Sequence, residues 1–186
     1  MGIQFFHPER YKLNKQKERT LIIRNETIND KDAIAKITLE AFKNVAVSQQ
    51  TEAFIINALR REGALTLSLV ADIKGEIVGH IAFSPVIISD QTQNWFGLGP
   101  VSVKPELQKK GIGKQLIQKG LALLKEMGAG GCALVGDPNY YQFFGFKNDK
   151  KLIHDGIPQE VFLVLPFHEK VPVGSVIFHN AFQATS

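Results

Sequence analysis

Residues 101–124, VSVKPELQKKGIGKQLIQKGLALL, constrain this chain more than any other stretch. A short alternating apolar run ends near Pro105. A charged turn follows, then Gly111-Ile112-Gly113, then a long segment with apolar residues at helical spacing. The pattern reads as strand, tight loop, helix. Two glycines and the lysines Lys109, Lys110 and Lys114 stand at the mouth of that helix, where a turn needs one glycine at most. The first amides of a helix have no carbonyl to bond, and the helix dipole makes that end positive. Glycines without Cβ let an anion reach those amides, so a diphosphate is the natural guest.

Two better-known phosphate loops fail on spacing. A P-loop needs Gly at position 108 and Ser or Thr at 115, and both positions hold Gln. A dinucleotide fingerprint needs Gly or Ala at 116, where Leu116 stands.

Around this loop the chain predicts a strand over 20–24 and a helix capped by Asn29, with Ala33, Ile34, Ile37, Ala41 and Phe42 on one face. A second helix is expected over 51–61, its stripe formed by Phe54, Ile55, Ala58 and Leu59. Strands over 65–73 and 76–88 flank a Lys74-Gly75 hairpin, and Pro85 suggests a bulge or edge. The run 94–105 reads as a strand kinked at 97–100. After Gly113 comes a helix to about Met127, and GCALVG then reads as a buried strand. PNYYQFF is a short helix closed by Gly145, and 160–167 and 171–180 are two more strands. The order β-α-α-β-β-β-α-β-α-β-β defines an α+β, mixed-sheet domain.

Read together, LGPVSVKPELQKKGIGKQLI and YYQFFGF resemble the GNAT superfamily of acetyl-CoA-dependent N-acetyltransferases. LGPVSV…GDPNYYQFFGF is similar to a bacterial branch of predicted N-acetyltransferases. The likeness runs from Leu21 to Phe182 in element order and is most specific between Leu98 and Phe146. It implies a mostly antiparallel twisted sheet with one splayed parallel pair and about four helices. It implies acetyl-CoA as acetyl donor, its diphosphate held by Gln108, Lys109, Lys110, Gly111, Ile112, Gly113 and Lys114. The pantetheine arm would lie along Val101, Ser102 and Val103, with Asn139 and Tyr141 completing the cofactor contacts. Tyr141 stands four residues before Gly145, where the family pattern has a tyrosine that assists the leaving thiolate; Tyr140 is one place off.

The implied reaction is acetyl transfer to a primary amine by direct attack in a ternary complex. The family's glutamate on the fourth strand has no counterpart in NWFGLGPVSV. His80 in VGHIAF is a candidate base, with a satisfied core histidine as its other reading. A non-catalytic acyl-CoA-binding regulatory module is the alternative function. The acceptor is left open between a small amine and a protein or aminoacyl amine, although Phe83, Trp95 and Phe96 hint at an apolar component. His154 and His168 fall in loops and read as surface groups, and metal-ligand spacing is absent.

Composition sets the remaining expectations. A single cysteine, Cys132, forbids an intrachain disulfide and points to the cytoplasm, and no apolar run reaches the ~18 residues of a membrane span. Residues 7–19 hold five basic and two acidic side chains, most of the net charge of +4. This divides the chain into a basic extension, 1–19, and one domain, 20–186. Nucleic acid is not expected as a partner, and the sequence carries no sign of oligomeric state.

Overall fold

The computed structural model describes residues 20–46 and 48–186. The basic extension read from the sequence lies outside them. The elements are β1 (Leu21–Asn25), α1 (Lys31–Phe42), α2 (Glu52–Arg61), β2 (Leu67–Ile73), β3 (Glu76–Ile88), β4 (Trp95–Val103), α3 (Ile112–Glu126), β5 (Gly131–Val135), α4 (Pro138–Tyr141), β6 (Leu152–Ile153), β7 (Phe162–Pro166) and β8 (Gly174–Phe178). The sheet runs β1-β2-β3-β4-β5-β7, with β8 joining the far end of β3 and pairing with β6. Of the pairs along the main path, only β4–β5 is parallel.

The two faces of the sheet follow the period-two alternation of its strands. Leu69, Ala71, Ile81 and Phe83 pack with Leu116, Ile117, Leu121 and Leu124 of α3. Val70 and Ile77 face the other way, onto Ile34 and Ile37 of α1 and Ile56 of α2. Gly120 sits against the Phe83 ring: a Cβ there would lie 2.3 Å from a ring carbon. A ring and a helix backbone in such close contact leave room for nothing larger than hydrogen.

Several expectations shift. Asn29 is not the cap of the first helix. A 3-10 turn, Ile28–Asp30, precedes it, and the Asp30 carboxylate accepts from the Thr27 amide (2.7 Å) and hydroxyl (2.9 Å). Arg24 clamps the same carboxylate at 2.7 and 3.0 Å and reaches Asp72 on β2 at 3.0 Å. The buried acid is thus a joint between β1, β2 and α1. Phe54 is 37% exposed, while Ala53 and Ile56 are buried with Ile55, Ala58 and Leu59. Of the two readings of Pro85, the edge holds and the bulge does not: it is paired with Phe96 on one side and stands unpaired on the other, where β3 exchanges β2 for β8 as its neighbour. The two-residue strand β6 had no sequence signal.

The kink expected in β4 is real and sets up the site. Ile81 pairs with Val101 and Phe83 with Leu98, so β4 carries one extra residue around Gly99-Pro100, whose peptide bond is cis. This is a bulge, which bends the bulged strand. β4 and β5 are paired only from Trp95–Gly97 to Gly131–Ala133. Trp95 pins that end, its indole filling the space that Cβ atoms on Gly130 and Gly131 would need. Beyond the bulge the two strands part, and the edge of β4 opens into a notch.

Candidate active site

The notch is lined on one side by residues 101–103. Lys104 donates its amide to Val78 O on β3. Backbone direction alternates along a strand, so the polar groups of Ser102 also turn toward β3, and those of Val101 and Val103 turn toward the notch. Val103 O accordingly takes the Gln108 side-chain amide at 3.2 Å. The Ser102 hydroxyl is buried against Thr38 Oγ1 at 3.1 Å and faces away from the notch.

The loop after β4 ends at Gly111, whose φ of 84° lies in the left-handed region that favours glycine. The first helical hydrogen bond of α3 runs from Gln115 N to Gly111 O, so the amides of Ile112, Gly113 and Lys114 have no carbonyl within the helix. Among the described residues nothing lies within 4 Å of where a Gly111 Cβ would stand, and a Gly113 Cβ would sit 3.4 Å from the Tyr140 hydroxyl. The result is an open cradle of backbone N–H groups. Of the flanking lysines, Lys109 and Lys114 border it. Lys110 turns back to donate to Glu106 O at 2.8 Å.

Two cavities meet at this point. One, of about 510 Å³, runs over the cradle and is lined by Val101, Val103, Gln108, Gly111, Gly113 and Tyr140, among others. The second, of about 340 Å³, lies beyond Gly99-Pro100 and is walled by Ile55, Leu98, Phe178 and Phe182, with Glu52, His154 and Tyr141 among its ionisable groups. Phe42, Val101 and Tyr141 line both. Tyr140, by contrast, borders only the cradle side.

Asp137 caps α4 through the Asn139 amide at 2.9 Å, and the short helix carries Tyr141 into an aromatic cluster with Tyr140 (5.1 Å between centroids) and Phe146 (5.9 Å). Burial, then the neighbouring Tyr140, raises the Tyr141 phenol above its ordinary value of 10, so it keeps its proton across the neutral range. Asn139 itself is exposed, and Ile112 is buried in the core; neither side chain borders the two cavities.

His80 lies elsewhere. Its side chain is fully buried and borders neither cavity. The Ser68 hydroxyl donates to Glu26, so His80 Nε2, 2.8 Å away, donates to Ser68, and Nδ1 is left without a partner among the described residues. Burial pushes the imidazole down to about 4 against the pull of Glu26. Burial also works against the Glu26 carboxylate, but hydrogen bonds from Arg60 and Ser68 outweigh it and hold that group below its ordinary value. Cys132 is buried, and that burial pushes its thiol well up, so it is no thiolate.

The sequence reading missed Glu52 and took His154 for a surface group. His154 reaches the second cavity because β6 pairs with β8, and no local pattern announces that pairing. Phe83 and Trp95, which hinted at the acceptor side, are core residues instead.

The sheet with one splayed parallel pair, the N–H cradle at the end of β4 and the cavity leading away from it together define an acyltransferase architecture. Residues 31–146 match the family model "Acetyltransferase (GNAT) family", and the chain belongs to that family. It is 35% identical to the uncharacterized N-acetyltransferase YhbS of Escherichia coli K12 over 128 residues, 68% of this chain and 74% of YhbS. A GNAT family acetyltransferase from Brucella melitensis, crystallised with acetyl-CoA, superposes with a TM-score of 0.79 at 46% identity, covering 88% of this chain and 99% of that one. The E. coli YhbS structure with CoA gives 0.78 at 28% identity, covering 89% and 93%.

Proposed function

We propose that this chain transfers the acetyl group of acetyl-CoA to a primary amine by direct attack within a ternary complex. The observation that carries the reading is the meeting of the two cavities at Phe42, Val101 and Tyr141. One route brings a diphosphate-bearing donor along an N–H cradle, and the other brings an acceptor from the opposite side. Bound acetyl-CoA supplies an acyl group activated as a thioester.

The chain's own groups have three tasks. The amides of Ile112, Gly113 and Lys114, with Lys109 and Lys114 beside them, hold the diphosphate. The outward groups of Val101 and Val103 pair with the amides of the pantetheine arm as an added strand would. The Val101 N–H is the donor best placed to face negative charge developing on the carbonyl oxygen. Tyr141 Oη–H donates to the departing sulfur. A phenol raised by burial gives up its proton to a thiolate less readily still, so a strong hydrogen bond, rather than full transfer, is its contribution. Ser102, Lys110 and Asn139 contribute through backbone position more than through side chains. His80 serves the fold: at about 4 it is already neutral at pH 7, but it lies away from both cavities. Residues 20–186 form the catalytic domain, and 1–19 a basic extension to it.

The absence of an acid from β4 keeps a second reading in view, an acyl-CoA-binding module without turnover. Calorimetry with acetyl-CoA and a thiol-release assay over a panel of amines separate the two. Micromolar binding together with amine-dependent CoA release supports the enzyme. Binding without release from any amine removes it. Repeating both measurements on residues 20–186 tests the domain assignment, with unchanged values expected.

A further inference from the structure

From the second cavity we infer the class of acceptor: a small primary amine with an apolar body and no carboxylate, its ammonium held by Glu52 and its proton taken by His154. The inference rests on the acetyl-transfer reading of the site. Its evidence is the chemistry of the walls. Phe42, Ile55, Leu98, Phe178 and Phe182 supply an apolar surface, and among the described residues no lysine or arginine lines the cavity. Among the described residues Glu52 is the one carboxylate there. A cation therefore finds a counter-charge, whereas a carboxylate on the acceptor meets a like charge and no counter-charge among the described residues. The volume, about 340 Å³, suits a compact molecule.

Both polar groups are held in place. Glu52 opens α2, where Ser48 Oγ donates to its Oε1 at 2.6 Å. His154 Nδ1 lies 2.9 Å from Val176 O. A carbonyl only accepts, so the proton is on Nδ1 and the Nε2 lone pair is the acceptor. Phe162 and Phe178 pack on the ring at 5.9 and 5.1 Å, which fixes its orientation. The proton balance closes without a further reagent. The ammonium gives one proton to His154 Nε2, and the neutral amine then forms the new C–N bond as the C–S bond breaks. The second proton of the amine leaves with the thiol or to water.

The test compares 2-phenylethylamine with phenylalanine, which differ by one carboxylate, alongside spermidine and a short peptide with a free N-terminus. Thiol release should favour 2-phenylethylamine over phenylalanine by at least about tenfold in kcat/KM. Calorimetric titration of 2-phenylethylamine into the CoA-saturated protein, where no reaction occurs, should show binding. Glu52→Gln should weaken that binding about ten- to a hundredfold, with acetyl-CoA affinity unchanged. His154→Asn keeps a donor for Val176 O and should lower kcat about 10²-fold with little change in KM. Equal or better use of phenylalanine, spermidine or the peptide overturns the inference, as does an unaltered Glu52→Gln variant or acetyl-CoA binding with no acetylation of 2-phenylethylamine. Loss of acetyl-CoA binding by the wild-type protein would instead overturn the acetyl-transfer reading beneath it.

Discussion

Two adjacent tyrosines show how one position in a chain decides a role. Tyr140 and Tyr141 share a short helix and differ in sequence by a single step, yet only Tyr141 borders both cavities, while the Tyr140 hydroxyl leans over Gly113. Tyr141→Phe should therefore leave acetyl-CoA affinity within about twofold and lower kcat about 10²-fold, a typical loss for one acid–base group. Tyr140→Phe should leave kcat close to wild type. Calorimetry and thiol release on the two variants check both halves, and wild-type turnover in Tyr141→Phe would remove the phenol from the mechanism. Tyr141 was expected from the family pattern of a tyrosine four residues before a glycine, and the short helix closed by Gly145 that carries it is a local feature the sequence announces. Glu52 and His154 were not legible, because their common wall is made by the pairing of β6 with β8 and by the packing of α2 against Ala181 and Phe182, contacts that no local pattern announces.

At the scale of elements, α3 carries glycines that look alike in sequence and differ in physical reason. Gly113 faces the cradle and Gly120 faces the Phe83 ring. Alanine in a helix interior is favoured over glycine by about 1 kcal/mol. Gly113→Ala should thus hold or slightly raise Tm, yet lower acetyl-CoA affinity, because a methyl group enters the space in front of the amides. Gly120→Ala gains the same propensity but drives a methyl into a buried ring, and overpacking costs about 1–3 kcal/mol. Its Tm should fall by a few degrees with affinity retained. Thermal melts with and without acetyl-CoA separate the two patterns; matching behaviour of both variants would contradict the assignment. The strand-loop-helix around these glycines was readable because propensity, spacing and charge agree there. The splay of β4 from β5 was expected from family likeness, and its local cause lies in the Gly99-Pro100 bulge.

For the molecule as a whole, the buried chain Arg60–Glu26–Ser68–His80 ties α2 to the sheet and couples stability to pH. The folded pKa of His80, about 4, lies below its ordinary 6.5. Between those values the unfolded chain binds a proton that the folded chain refuses, so stability is present in full above pH 6.5 and is lost as pH falls toward 4. The window corresponds to about 3 kcal/mol, at 1.36 kcal/mol per unit. Glu26 and Asp30 are also held below their ordinary values, but their contributions fade only as pH falls through the carboxylate range, beneath most of the His80 window. Urea denaturation at intervals from pH 7 to 4.5 should therefore show falling stability with a slope approaching one proton. In His80→Gln, whose amide keeps a donor for Ser68 without a titrating ring, the slope over the same interval should largely vanish. A wild-type curve that is flat from pH 7 to 4.5 would mean that the imidazole is protonated in the folded state. It would also remove the reason for assigning His80 to the core, since a charged histidine needs an aqueous path that its burial does not offer.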